Sequence, residues 1–236
     1  DMVLESNRDL VLRRLTEALA RDRVLLIVSQ RDKEVETPRP SDLFEVGTAC
    51  NILKMRKNPD GSVQVLVQAF ARVRVREWLD LGDHLEARGE VLADEPGEPI
   101  LVKALVREVK DKFQALLKEG KYLAPEVAQF ILNLEDPSQL ADYVAFHMDF
   151  RLEDKQKVLE TANVAERLRA VLVLLEAELA LIETQRRIQQ QVKEEIDRNQ
   201  REYFLREQMK AIQRELHGEE GEQEVEEFRR KLEALD

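Results

Sequence analysis

The chain contains few of the residues that build disulfides and metal sites. It has 1 cysteine and 3 histidines among 236 residues. A single cysteine cannot form an internal disulfide, which predicts a reducing, cytoplasmic location, and Cys50 lies in an apolar alternating run that predicts its burial. The histidines are far apart in the sequence, and no cysteine–histidine pair has the spacing of a zinc site. The sequence therefore predicts neither a metal site nor a disulfide framework.

Long hydrophobic runs and an excess of basic residues are also lacking. Apolar runs such as Val171–Leu175 are far shorter than the ~20 residues of a membrane-spanning helix, so no membrane partner is predicted. The formal net charge is −11, which repels phosphate backbones and makes nucleic acid an unfavourable partner. There is no phosphate-binding loop, dinucleotide fingerprint or nucleophile elbow. The sequence predicts no catalytic residue and no cofactor site.

Alternating apolar residues predict that residues 1–93 form a β-rich domain with one inserted helix. A capping-box pattern at Ser6–Asp9 favours a helix that ends near Arg21, and Val24–Val28 is typical of a buried strand. The clearest alternation runs over Val63–Val75, where valine and alanine occupy one parity. This is much longer than a usual strand of about 5–6 residues. A bulge or sharp bend is therefore expected in it, as in a small barrel.

The apolar period changes from 2 to 3.6 after Asp94–Pro99, a segment with the composition of a linker. Residues 100–182 are predicted to form a helical bundle. Its helices are expected over about 101–117, ending at Gly120, then after Pro125 and Pro137, and over about 152–160. Each proline suits the first position of a helix, because the missing N–H has no intrahelical partner there.

One very long helix is predicted from Asn163 to Leu216, since no glycine or proline interrupts this segment. It would be about 80 Å long at 1.5 Å per residue. Its apolar stripe is continuous only to Ile182, so residues 183–217 are predicted to be a coiled-coil-like extension of the helix. Gly218 has the position of a C-cap glycine, and residues 222–236 are predicted to be a separate short helix.

Several side chains are candidate contact or binding residues. Trp78, Leu79 and Leu81 follow the long strand in a predicted turn and form a candidate substrate contact, although Trp78 is somewhat better suited to closing one end of a barrel. Arg72, Arg74 and Arg76 share one strand face; they are either an anion site or, more simply, partners of nearby acids. His147 lies in an apolar helix, which favours a structural role.

The extension carries two further sets of candidate residues. The first is a stripe predicted to contact the same helix of another subunit: Ile188, Val192, Ile196 and Tyr203. The second is a set predicted to contact a domain that follows in the chain: Phe204, Leu205, Met209 and Ile212. Tyr203 and Phe204 are adjacent and project about 100° apart, so one surface cannot bury both.

Three segments carry a resemblance to a known family. The sequence NQREYFLREQMKAIQREL at the start of 199–221, followed by an acidic break with two glycines, resembles the end of the N-terminal domain of Lon, the ATP-dependent protease. Asp42–Thr48 and 58–67 resemble the β-rich, PUA-like substrate-binding domain of bacterial members of that family. The resemblance covers nearly the whole chain but includes neither the ATPase module nor the protease module, so it transfers no catalytic residue.

The resemblance implies an α+β fold in which a small PUA-like β-barrel precedes an α-helical bundle with one very long protruding helix. It implies a parent enzyme that is a homohexameric, ATP-dependent serine protease of misfolded, damaged and regulatory proteins. This chain would capture exposed apolar segments and pass them to the ATPase ring. ATP and Mg would bind in the ATPase module and not here.

Two other functions stay open at the level of sequence. The chain could be a structural spacer that orders an oligomer through its long helix and binds no substrate. It could also bind RNA, as PUA-like domains elsewhere do, but the net charge of −11 makes this the weaker alternative.

Overall fold

A computed structural model describes residues 2–6, 23–36, 38–59, 62–80, 85–120 and 123–233. The helix predicted to end near Arg21 and most of its capping box lie outside these residues. The chain divides into two compact units, Asp1–Leu179 and Ala180–Asp236. The first unit holds the sheet and the packed helices.

The first part of the chain forms an antiparallel sheet, as the alternating pattern predicts. Its strands are β1 (Met2–Ser6), β2 (Val24–Ile27), β3 (Val46–Lys57), β4 (Val63–Asp80) and β5 (Leu85–Val91). The hydrogen-bonded order is β1-β4-β3-β2, and β5 also pairs with β4. Strand β4 is thus the centre of the sheet. Strand β3 pairs with one edge of β4, and β1 and β5 pair with successive parts of the other edge of β4.

The bulge expected in the long strand is confirmed. The pairing of β3 with β4 shifts register between Ala49 and Cys50, where Phe70 of β4 is the extra residue. A second shift, in the β4–β5 pairing, lies between Val75 and Glu77. Because one extra residue reverses which face the following side chains occupy, the apolar parity predicted for the whole of Val63–Val75 breaks at Phe70.

A small apolar core covers one face of the sheet. It consists of the buried residues Cys50, Ile52, Val63, Val65 and Val67, with Leu25 and Ile27 packed against them. Beyond the bulge, the side chain of Arg72 is only 10% exposed and turns toward the helices. Beyond the bulge the strand therefore buries a charged side chain, Arg72, as well as the apolar Val75.

Four helices follow at the predicted places: α1 (Pro99–Lys118), α2 (Pro125–Leu132), α3 (Pro137–His147) and α4 (Leu152–Glu160). Prolines at the first positions of α2 and α3 are confirmed, and Gly120 after α1 has a φ of +92°, which favours glycine. The side chain of Asp136 caps α3 by accepting from the N–H groups of Ser138 and Gln139.

The helices share a second apolar core, separate from that of the sheet. Phe113 and Leu116 of α1, Ile131 of α2 and Leu140 of α3 are fully buried in it. The first turns of helix α5 (Val164–Glu233) add further side chains to this core, Leu168, Val171 and Leu175. Each buried side chain of this size contributes about 1.5–3 kcal/mol.

Helix α5 begins where predicted and extends further than predicted. Asn163 caps it by accepting from the N–H of Glu166 at 3.1 Å. The helix passes through Gly218 and Gly221 and ends at Glu233, so the predicted C-cap and the separate helix at 222–236 are wrong. Glycine costs only about 1 kcal/mol inside a helix, and the glutamates around both glycines are good helix formers.

Candidate functional site

The predicted Trp78 contact lies in a β-hairpin and not in a turn. Trp78 and Leu79 belong to β4 and pair with Ala87 and Glu86 of β5. The sequence pattern missed this because the bulge at Arg76 disturbs the alternation just before Trp78. The hairpin also carries two exposed cross-strand ion pairs, Arg76–Glu90 and Arg88–Glu77.

Trp78 and Leu79 lie on opposite faces of the hairpin. Trp78 and Leu79 are both half-buried, and consecutive strand residues project to opposite faces. Leu81 lies outside the described residues. A ligand that contacts the hairpin face of Trp78 therefore does not reach Leu79 on the same face.

Arg72 and Arg76 confirm the simpler interpretation of the arginine stripe, in which arginines neutralise nearby acids. The Arg72 guanidinium donates to Asp94 at 2.8 Å and to both carboxylate oxygens of Asp142. Arg76 pairs with Glu90, and this hydrogen bond and charge lower the pKa of Glu90. These two arginines are therefore paired with acidic residues of the same chain and do not form a free anion site.

Arg167 is a buried charge that the sequence reading missed. It is fully buried in the first turn of α5 and donates to Asp94 at 2.6 Å and to Ser138 at 2.8 Å. It also donates to the carbonyl oxygens of Thr161 and Ala162, at 2.8 and 3.2 Å. The available signal was an arginine between Ala165 and Leu168, on the apolar stripe of the helix, where an unpaired charge would be costly.

The two carboxylates of this network have opposite pKa shifts. Burial raises the pKa of Asp142, against the charges of Arg72 and Arg167. Burial also acts to raise the pKa of Asp94, but hydrogen bonds from Arg167 and Ser138 and the charges of both arginines outweigh it, so the pKa is lowered. Asp94 is therefore the anion most firmly held by the two guanidinium groups.

The supposed linker at Asp94–Pro99 is an ordered part of this site. The N–H of Glu95 donates to the carbonyl oxygen of Ala162, and the N–H of Val164 donates to that of Glu95, both at 3.0 Å. A Cβ atom on Gly97 would lie 2.6 Å from the Cβ of Ala165. Only glycine allows this close approach to the start of α5, so the segment is fixed in place despite its linker-like composition.

A partly exposed aromatic cluster on α2 and α3 was also missed. Phe130 meets Tyr143 edge-on with ring centroids 5.1 Å apart, and Phe146 meets His147 edge-on at 4.9 Å. The rings of Tyr143 and His147 stack at 6.3 Å. Burial and the charge of Lys155 lower the pKa of His147, which favours a neutral, packed histidine. The structural role predicted for it fits these contacts.

The predicted stripe on α5 lies on one face of the helix. Its members Ile188, Val192, Ile196 and Tyr203 are all exposed, by 49–69%. At about 100° per residue they fall within an arc of about 80°. They form an apolar seam, hereafter the 188–203 seam, on a stretch of the helix whose other residues are polar or charged.

The second set of candidates on α5 occupies a different face. Leu205, Met209 and Ile212 are exposed and share an arc of about 60°, centred about 140° from the 188–203 seam. Phe204 is exposed between the two arcs. The apolar surface thus changes sides at Tyr203–Leu205, where three successive side chains cover more than half of the helix circumference.

Other chemistry is not favoured by the described residues. Cys50 is buried, and burial raises the pKa of its thiol to about 11, which makes it a poor nucleophile. Within the part of the chain that the structure describes, no group of three or more His, Cys, Asp or Glu residues is placed to hold a metal ion. Among these same residues, no helix is both long and apolar enough to cross a membrane.

Comparisons with known proteins agree on one family. The sequence model described as "ATP-dependent protease La (LON) substrate-binding domain" matches residues 2–177. Lon protease 2 of Thermus thermophilus is 95% identical over 235 residues, which are 100% of this chain and 29% of that protein. Lon protease of Escherichia coli K12 is 38% identical over 228 residues, 96% of this chain and 29% of that protein. The chain therefore spans less than a third of the length of these relatives.

A solved structure shows the same fold. The N-terminal domain of Mycobacterium avium complex Lon protease matches with a TM-score of 0.60 at 24% identity, covering 74% of this chain and 90% of that chain. This confirms the predicted α+β fold of a β-sheet followed by helices, one of them very long. Because the family model covers most of its residues, the chain belongs to the family of Lon substrate-binding domains.

Proposed function

We propose that this chain is the non-catalytic recognition and assembly part of a Lon-like ATP-dependent serine protease. It captures exposed apolar segments of misfolded, damaged or regulatory proteins and passes them to the ATPase ring. The observation that carries this proposal is the match of residues 2–177 to a substrate-binding domain. The scarcity of catalytic and metal-ligating residues is consistent with a role in binding and not in chemistry.

Exposed apolar side chains on the first unit are available to contact apolar segments of other proteins. Leu53, Met55 and Phe70 are exposed on the sheet, and Phe130 and Phe146 on the helices. They lie on both the sheet and the helices, which suits weak contacts with many different unfolded sequences. Six copies in a homohexamer would turn such weak contacts into useful avidity. Trp78 and Leu79 are proposed to belong to the same set of contacts.

Assembly is proposed to depend on the long helix. The 188–203 seam is apolar and exposed, so it is suited to pairing with the same seam of another copy. The stripe that contains Leu205, Met209 and Ile212, together with Phe204, is proposed to contact the ATPase module. The chain spans 29% of Lon protease 2, so most of a relative's length remains for ATPase and protease modules. ATP and Mg would bind in that ATPase module, in a cytoplasmic parent enzyme.

The seam also favours a second function, that of a spacer which orders the oligomer without binding substrate. Both functions require the 188–203 seam, but only recognition requires affinity for unfolded chains. RNA binding has no comparable support, since the formal net charge is −11. Weak and salt-independent RNA affinity is expected in a titration.

The test uses one protein in two forms. A tryptophan-free protein is prepared in its native, disulfide-bonded form and in its reduced, carboxymethylated, unfolded form. Both forms are labelled with the same fluorophore and titrated with this chain. Fluorescence anisotropy is expected to rise only for the unfolded form. If both forms bind equally, or if neither form binds, the recognition role is refuted and the spacer function remains.

Trp78 provides an internal probe in the same experiment, because it is the single tryptophan of the chain. If the hairpin contacts substrate, the emission of Trp78 changes together with the anisotropy. Binding without any emission change would remove Trp78 from the proposed contacts and leave recognition itself intact. The variant Phe70→Ser provides a comparison at a different exposed position on β4.

A further inference from the structure

The hairpin of β3 and β4 is basic, although the chain as a whole is acidic. Residues 46–76 contain six basic residues and one acidic residue, whereas the formal net charge of the whole chain is −11. The six are Lys54, Arg56 and Lys57 on β3 and Arg72, Arg74 and Arg76 on β4. This hairpin is therefore a local positive region on a negatively charged molecule.

The basic residues of the two strands differ in their partners. On β4, Arg72 pairs with Asp94 and Asp142, and Arg76 pairs with Glu90. The three bases of β3 are exposed, and within the described part of the chain they form no ion pair. Their charge is therefore not neutralised by a neighbouring acid and can attract an anionic ligand.

Two of these bases lie on the face of the sheet opposite its core. Leu66 stands between the buried Val65 and Val67, so it projects to the other face. The pairing of the strands places Lys54 beside Leu66, and Arg56 beside the next residue along the same face of β4. Residues two apart on a strand are separated by about 6.7 Å, so both cations can reach one short ligand.

A bulge places an apolar side chain beside these charges. The register shift between Ile52 and Lys54 leaves Leu53 as the extra residue of β3. Leu53 and Lys54 therefore both lie opposite Leu66. Leu53 is 46% exposed and Leu66 is half-buried. Leu53, Lys54, Arg56 and Leu66 are hereafter called the basic face.

We propose that the basic face binds apolar segments of non-native proteins that carry acidic residues beside the apolar ones. The two leucines contact the apolar residues of such a segment, and Lys54 and Arg56 pair with its carboxylates. A basic segment brings like charges together at the same place and is disfavoured. This proposal rests on the proposed function, to which it adds a preference for one class of substrate segment.

A short acidic segment fits the basic face better than a nucleic acid does. The positive region is small, because the register of β1 places Glu5 opposite Gln64, one strand away from Arg56. A phosphate backbone extends beyond this region and meets the negative charge of the remaining chain. It also offers little apolar surface to Leu53 and Leu66, whereas the apolar residues of a peptide can bury both.

The test compares three fluorescent peptides of equal length that share one apolar core of leucine and valine. The core is flanked by glutamate in the first peptide, by glutamine in the second and by lysine in the third. Each peptide is titrated with the whole chain at low and at high salt, and binding is measured by fluorescence anisotropy. The same titrations are made with an unfolded protein and with a single-stranded RNA.

Two double variants separate the basic face from the overall charge. Lys54→Gln with Arg56→Gln removes the two cations of the face, both of which are exposed. Lys103→Gln with Arg107→Gln is the matched control, because it removes one exposed lysine and one exposed arginine from α1. Both variants change the net charge equally, and circular dichroism checks that both are folded.

The unmodified chain is expected to bind the glutamate peptide about 5- to 10-fold more tightly than the glutamine peptide, as two exposed ion pairs imply. The lysine peptide is expected to bind most weakly, and high salt should remove these differences. The variant of the basic face should bind the glutamate and glutamine peptides alike, with its affinity for the glutamine peptide unchanged. The control variant should keep the preference.

Other outcomes overturn the proposal in distinguishable ways. If the unfolded protein binds but the chain does not prefer the glutamate peptide, or if the preference survives in the variant of the basic face, the proposal fails and recognition stands. If neither the unfolded protein nor any peptide binds, the proposed function fails as well. If the RNA binds more tightly than the glutamate peptide and loses affinity in the same variant, the face binds nucleic acid and the proposal is wrong.

Discussion

The 188–203 seam predicts a weak self-association whose strength can be worked out from exposure. Ile188, Val192 and Ile196 are about half exposed, and Tyr203 is 69% exposed. Complete burial of such side chains contributes about 1.5–3 kcal/mol, so each has roughly 1 kcal/mol left to gain. Two seams together would contribute about 8–10 kcal/mol by this reckoning.

Association itself costs at least about 4 kcal/mol in lost translational and rotational freedom. The net free energy of pairing is therefore about −4 to −6 kcal/mol at best, which corresponds to a Kd on the order of 0.05–1 mM. The isolated chain is expected to be largely monomeric at low micromolar concentration and to associate at several hundred micromolar. Strong assembly would then require additional contacts in the proposed hexameric parent.

The perturbation is Ile188→Glu with Ile196→Glu, which places two like charges on the seam. Both positions are exposed and glutamate is a good helix former, so the helix and the first unit should stay intact by circular dichroism. Gln190→Glu with Arg201→Gln is the control, since it changes the net charge equally on the opposite face of the helix.

Sedimentation equilibrium over a wide concentration range provides the measurement. The seam variant is expected to remain monomeric, while the control associates like the unmodified chain. If the seam variant associates as the unmodified chain does, or if the unmodified chain stays monomeric at all concentrations, the seam is not an interface between copies.

Three further predictions follow from local geometry. Gly97→Ala is expected to lower the free energy of unfolding by up to about 3 kcal/mol, because its new Cβ atom clashes with Ala165. Gly120→Ala lies in open space and is expected to cost only about 1 kcal/mol, because of its positive φ. Equal losses of stability for the two variants in urea denaturation would refute the clash. The lowered pKa of Asp94 means that its contribution to stability is present above its ordinary pKa of 3.8 and is lost as the pH falls through the lower folded-state value. Asp94→Asn should remove this acid dependence, and parallel stability–pH curves for variant and parent would argue against it. Cys50, buried and with a pKa of about 11, should react with a thiol reagent only on unfolding; rapid labelling of the folded chain would contradict its burial.

Helix positions were predictable because their signals are local. A boundary is marked by the proline at the first position of α2 and α3 and by the glycine at 120, with little help from tertiary contacts. The uninterrupted apolar period marks the helix between such boundaries. Gly218 shows the limit of such signals, since glycine favours a helix end but does not impose one. The extra residue at Phe70 was foreseen only as a bulge somewhere in the strand.

The ion-pair network of Arg72, Asp94, Asp142 and Arg167 could not be read from the sequence, because its four charges come from segments up to 95 residues apart in numbering, from Arg72 to Arg167. Only the fold brings Asp94 and Asp142 to the same two arginines. The same holds for Asp94–Pro99, whose composition indicates a flexible linker while its contacts with the start of α5 fix it. Trp78 was misplaced for a related reason, since the bulge before it disturbs the alternation that marks a strand.

The central claim is that this chain recognises non-native proteins, and amide shift mapping tests it most directly. Spectra of the labelled chain are recorded with one protein in its unfolded form and again in its native form. The account predicts shift changes around exposed apolar residues of the first unit, such as Phe70 and Phe130, with the unfolded form only. Identical changes with both forms, or none with either, would contradict it.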